Sequence, residues 1–183
     1  MPLAELRRAA RHRRAIAYWG VVLALYLSLW LGASLTPPEW MRLGMLFVHL
    51  ASIIVGLGAA VLLEVNGFLW TIGRESLDSL RRTERSVSAL AWLGIFGLFA
   101  SGAFLAPNLE DPLTALKMAA VLVVAMNGVA MTRLTAELRR LPPHVSFPSL
   151  PARLRLWCIW SALVSQAGWW TAVIIGMLNT AGR

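Results

Sequence analysis

The sequence predicts an all-α integral membrane bundle of five transmembrane helices, with the N-terminus in the cytoplasm and the C-terminus outside. Three observations lead there. Hydrophobic residues make up 58% of the 183 and charged residues only 14%, against roughly 45–50% and 25% in soluble domains. The apolar residues fall into five long runs, and the basic residues fall almost entirely between alternate runs. A soluble chain of this size has too little interior to hide so much apolar surface.

A helix needs about 20 apolar residues to cross a hydrocarbon layer roughly 30 Å thick. Five stretches meet that length, at about 15–35, 43–65, 87–106, 113–133 and 154–178. Each must be helical, because lipid offers no partner to an unpaired backbone amide. Residues 1–14 form a basic cytoplasmic N-terminus, 15–178 a single transmembrane domain, and 179–183 a short external tail.

Proline sets most of the breaks. Thr36-Pro37-Pro38-Glu39 stops the first helix, since proline cannot continue the hydrogen-bond ladder. Pro107 to Pro112 makes a short turn between spans three and four, and Leu141-Pro142-Pro143 through Pro151 a longer connection before span five. The segment 71–86 has no proline and mixes both charge signs, so it reads as a short surface helix or an extension of span two.

Orientation follows from the arginines. Arg7, Arg8, Arg11, Arg13 and Arg14 precede span one, and Arg74, Arg81, Arg82 and Arg85 lie between spans two and three. Arg133, Arg139, Arg140, Arg153 and Arg155 flank the connection between spans four and five. With five spans these fourteen share one side, and only Arg42, Lys117 and Arg183 fall on the other. That asymmetry places the arginine-rich side in the cytoplasm. The preference for arginine over lysine points to a GC-rich bacterial genome, and so to a cell inner membrane.

Tryptophan supports the same frame. Trp19, Trp70, Trp157 and Trp160 fall near inner boundaries and Trp40 in an outer loop, as an interfacial belt requires. Trp92 and the pair Trp169-Trp170 lie deeper and are expected to pack between helices.

A basic N-terminus followed by an apolar run also describes a cleavable signal peptide. Here the run is about 20 residues rather than the usual 7–15, and Gly32-Ala33-Ser34 is a poor cleavage site. The net charge of +8 does not indicate nucleic acid as a partner, because base stacking needs aromatics interleaved with the charge. Cys158 is the single cysteine, so neither an intrachain disulfide nor a cysteine-based zinc site can form.

Helices in lipid associate where small residues let backbones approach. His49, Gly56, Ala60 and Gly67 lie within about 20° of one line on span two. Gly94, Gly97 and Ser101 form a stripe on span three, and Ser161, Ser165 and Gly168 another on span five. These faces predict a tight bundle of spans two to five, with span one peripheral. They serve equally for a homo-oligomer or a membrane-protein partner.

Four polar residues lie within the spans, where such groups are costly and point to function. His49, about six residues into span two, reads as a metal ligand (copper or haem) or proton acceptor, or as a neutral imidazole bonded to a neighbouring helix. Lys117, four residues into span four at similar depth, either snorkels to the headgroups or pairs with Glu39, Glu110, Asp111 or an anionic ligand. Glu64, near the inner end of span two, is expected to pair with an arginine, the alternative being proton coupling. Asn127 is expected to hydrogen-bond across helices. His49 with Lys117 makes an outer polar layer, and Glu64 with Asn127 an inner one.

The stretch HLASIIVGLGAAVLLE, followed two helices later by LKMAAVLVVAMNGVAMTRL, resembles a helix pair in the copper-resistance D-type (CopD-like) bacterial membrane proteins. His49, Gly56, Gly58, Lys117 and Asn127 match that outline, with Arg133 and Pro142 following it loosely. The resemblance implies copper handling or uptake, with Met41, Met45 and Met118 as soft donors beside His49. The chain lacks the further histidines and methionine clusters that copper binding calls for.

Three functions follow as expectations. The first is a non-enzymatic protein that binds or moves a small solute or ion, proton or copper, through a polar layer. The second is a membrane anchor or assembly subunit. The third is a haem- or quinone-bearing redox subunit, although one histidine at depth cannot give bis-histidine ligation. No nucleophile–base pair, metal cluster or phosphate loop suggests catalysis.

Overall fold

The computed structural model describes residues 3–181, with side chains placed for Glu5 and for residues 8–179. Arg183 and the side chain of Arg7 lie outside the described residues. Five helices form: α1 Leu3–Ser34, α2 Glu39–Thr71, α3 Leu77–Gly102, α4 Pro112–Leu138 and α5 Ala152–Ala181. Each holds a long apolar window, of mean hydropathy from 1.2 in α3 to 2.4 in α2. With no strand among the described residues, the chain is an all-α, multi-pass membrane bundle.

Helix boundaries differ from those expected, for local reasons. The basic N-terminal arm is not separate but the first turns of α1. Residues 77–86, expected as a surface helix or as part of span two, open α3 instead. The break is chemical: Gly73 takes φ +75°, which L side chains disfavour. Ser76 then caps α3 by accepting from the Ser79 amide at 3.1 Å. At the other break Asp111 caps α4, accepting from the amides of Leu113 at 3.2 Å and Thr114 at 3.0 Å, with Pro112 at the first helical position.

α2 and α3 form one antiparallel hairpin and α4 and α5 a second. α1 packs against α3 and α4, and α2 touches α5, so the five helices close a ring in the order α1–α3–α2–α5–α4. The peripheral place expected for span one is therefore corrected. α1 buries Val21, Leu25 and Ser28, and a Cβ on Gly32 would stand 3.2 Å from the Pro107 ring.

The ring is filled, not hollow. Val21 and Leu25, Ile95, Leu98 and Phe99, Val124, Ala125 and Val129, and Trp169 form one buried cluster through its middle. A second cluster seals the arginine-rich end: Trp70, Leu77, Leu134, Leu138 and Leu150. Trp70, assigned above to the interfacial belt, belongs to this cluster, edge-on to Phe147 at 5.2 Å and donating to the Val145 carbonyl at 3.0 Å. Arg81 also turns inward there and donates to the carbonyls of Leu138, the last residue of α4, and, at 2.7 Å, of Leu141 just beyond it. Trp19, Trp40 and Trp160 stay exposed, each at least 67%, as the belt requires.

Candidate functional site: two polar layers about a tryptophan plug

The small-residue stripe on α2 faces α3. A Cβ built on Gly94 would lie 2.5 Å from the Gly56 Cα and 2.8 Å from the Ser52 carbonyl oxygen, and one on Gly97 would strike the Ser52 side chain. The backbones meet because these positions lack side chains. Ala60 continues the stripe against the core.

At the arginine-poor end of this seam His49 faces α3, its Nδ1 2.9 Å from the Ser101 Oγ. Ser101, wholly buried, gives its one hydroxyl proton to the Gly97 carbonyl at 2.6 Å. Its oxygen is then left to accept, so the Nδ1 carries hydrogen and the lone pair of neutral His49 lies on Nε2. Lys117, half-buried on α4, acts electrostatically on His49. Residues from α2 and α3 thus meet in this layer, and Lys117 of α4 acts on it through its charge.

The second layer is organised by α5. Asn127 on α4 donates to the Ser161 carbonyl at 2.8 Å and accepts from the Ser161 hydroxyl at 2.9 Å. One turn on, Ser165 and Gln166 of α5 lie beside the half-buried Glu64 of α2. The neighbours of Glu64 on α5 are therefore neutral, and it makes no ion pair with the expected arginine among the described residues. The ion pairs among the described residues are Arg82–Asp78, Arg139–Glu84 and Arg140–Glu137. Gly168 opens a further contact, since a Cβ there would lie 3.3 Å from the Ala120 carbonyl oxygen.

Trp169 separates the layers. Its ring edge rests on Gly56 and its body lies among Ile95 and Val124 in the core. Its neighbour Trp170, expected to pack between helices as well, is 49% exposed and donates to the Gln166 side chain at 2.8 Å. Trp92 is half-buried, its ring 3.3 Å from where a Cβ of Gly128 would stand.

The chain matches no protein family, no curated protein and no solved structure.

Copper at His49, which the resemblance implied, and haem, the other metal reading of that residue, find too few ligands among these residues. The histidine offers one donor, the Nε2 lone pair, its Nδ1 being held by Ser101 as a ligating imidazole's other nitrogen commonly is, but no second histidine among the described residues stands with it. Met118 packs into the core instead. Among the described residues no three His, Cys, Asp or Glu side chains converge. Gln166 and the inward Arg81 are roles that the sequence reading missed, whereas Trp169, expected to pack between helices, does so across Gly56. Only Trp169 left a signal, lying next to Gly168 on the small-residue face of α5.

Proposed function

We propose that this is a multi-pass protein of a bacterial cell membrane that carries protons between its two polar layers, with the arginine-rich end in the cytoplasm. The observation that carries this reading is Glu64, set between α2 and α5 against Ser165 and Gln166. A carboxyl group with neutral partners takes up and releases a proton without breaking an ion pair. On the same helix and 15 residues away, about 22 Å by helical rise, the Nε2 of His49 offers the other acceptor. Ser52, Gly56 and Ala60 line the seam between them. Trp169 closes that seam in this conformation, so it is the barrier that a proton path has to open.

The orientation rests on the fourteen-to-three arginine and lysine split. Reporter fusions after Asn108 and after Glu137 should land in opposite compartments, the second in the cytoplasm. For the activity, purified protein is reconstituted into vesicles holding a pH-sensitive dye and a proton gradient is imposed. Flux above that of empty vesicles is expected, lost in Glu64→Gln and reduced in His49→Ala, with a raised leak in Trp169→Ala. Flux no greater than in empty vesicles, or unchanged in both Glu64→Gln and His49→Ala, would remove the reading.

A further inference from the structure

We infer that the cleft between α1, α3 and α4 at the arginine-rich end is a binding site for an anionic phospholipid. This rests on a different part of the molecule and owes nothing to the proton path.

Residues of α1, α3 and α4 line an open cleft at this end of the bundle. It has a volume of roughly 1690 Å³. Its polar half is lined by Arg8, Arg11, Arg13 and Arg14 of α1 and by Arg133 and Arg140 of α4. Against these six stand Glu5 and Glu137, an excess of four positive charges. Glu137 is partly engaged already by Arg140 at 3.7 Å. Guanidinium groups spread along two helices suit the oxygens of a phosphodiester, which they bind in pairs.

The other half of the cleft is apolar. It runs from Ile16 to Val21 on α1 and ends on Val129, with Trp92 and Phe96 as its wall. Those two rings are stacked at 5.7 Å between centroids. From Arg8 to Val21 the cleft is about 20 Å long by helical rise. One end carries net positive charge at headgroup level and the other an aromatic wall at acyl-chain level. That division matches a single molecule with an anionic head and hydrocarbon tails, and basic pockets between membrane helices bind such heads. A water-soluble anion would leave the apolar half uncovered, and a nucleic acid cannot enter the acyl level.

The test uses the full chain, stripped of lipid in detergent and offered equal amounts of phosphatidylcholine and phosphatidylglycerol. Retained lipid is read by native mass spectrometry. Clear preference for phosphatidylglycerol is expected, weakening with added salt and unmoved by inorganic phosphate. Arg133→Gln with Arg140→Gln, and separately Arg11→Gln with Arg14→Gln, should bring the two lipids close to parity. Phe96→Ala, at an exposed position, should lower retention of both lipids. Circular dichroism establishes that each variant keeps its helices, and two independent arginine pairs guard against one that misfolds. Equal retention by the wild type, a preference intact in both arginine variants, or displacement by inorganic phosphate overturns the inference.

Discussion

Trp169 lies across Gly56 so closely that a Cβ on the glycine would stand 2.6 Å from the indole Cη2 and 3.3 Å from the Gly94 Cα. Three helices meet at this point: α2, α3 and α5. The absence of a side chain at one position lets a hairpin close and a third helix plug it. The two polar layers lie on either side.

Gly56→Val should accordingly lower stability by about 1–3 kcal/mol, because neither a glycine backbone nor a core indole can retreat. Gly58, two residues on, has open space around its Cα, and Gly58→Ala should be neutral or slightly stabilising. Thermal unfolding in detergent of the two variants checks the contrast, and equal losses would contradict the packing described.

Ser101→Ala removes the hydroxyl that accepts from His49. The expected cost is roughly 0.6 kcal/mol, the average for such bonds in membranes. Nitrogen-15 spectra of the imidazole give the sharper readout, since the Nδ1–H tautomer should dominate in the wild type and lose population in the variant.

Asn127 and Ser161 exchange two hydrogen bonds between α4 and α5, but only the one from the Ser161 hydroxyl is lost in Ser161→Ala. A double-mutant cycle with Asn127→Leu and Ser161→Ala should return a coupling of about 0.5–1 kcal/mol. Additive losses would mean that the side chains do not interact.

Asp111 supplies a pH dependence outside the membrane segments. The Thr114 hydroxyl, followed by the amides of Thr114 and Leu113 and the Asn179 side chain, holds its carboxylate below the usual range. A depressed folded value means that the stabilisation is complete above the ordinary aspartate value, near pH 4. It is lost as pH falls through the lower folded value. Melting temperature measured down through this window should fall in the wild type, and Asp111→Asn should melt lower at neutral pH and show a shallower acid fall.

Much of the fold was legible because the thickness of a bilayer acts on each segment alone. Five apolar runs of sufficient length give five helices whatever their neighbours, and Pro37, Pro38 and Pro112 mark ends through backbone geometry. The face of α2 that packs was also readable, since His49, Gly56 and Ala60 share a line by helical period. The polar layers were readable as depths, because residue count along a helix converts directly to height.

Partners were not readable. Height on α2 put Glu64 near arginines, but only the ring order, with α2 touching α5, gives it Ser165 and Gln166. Trp169 and Trp170 are adjacent and equally apolar, yet the turn of about 100° between them sends one into the core and the other to lipid. α1 carries few small residues, and it still closes the ring because α3 and α4 leave a gap that Val21, Leu25 and Gly32 fit. Sequence by itself determined which segments are long and apolar enough to cross a membrane, which prolines break them and how far along its helix each polar group sits. Which helix stands beside which was decided by tertiary packing, because helical period fixes a residue's angle about its own axis and leaves open what lies in that direction.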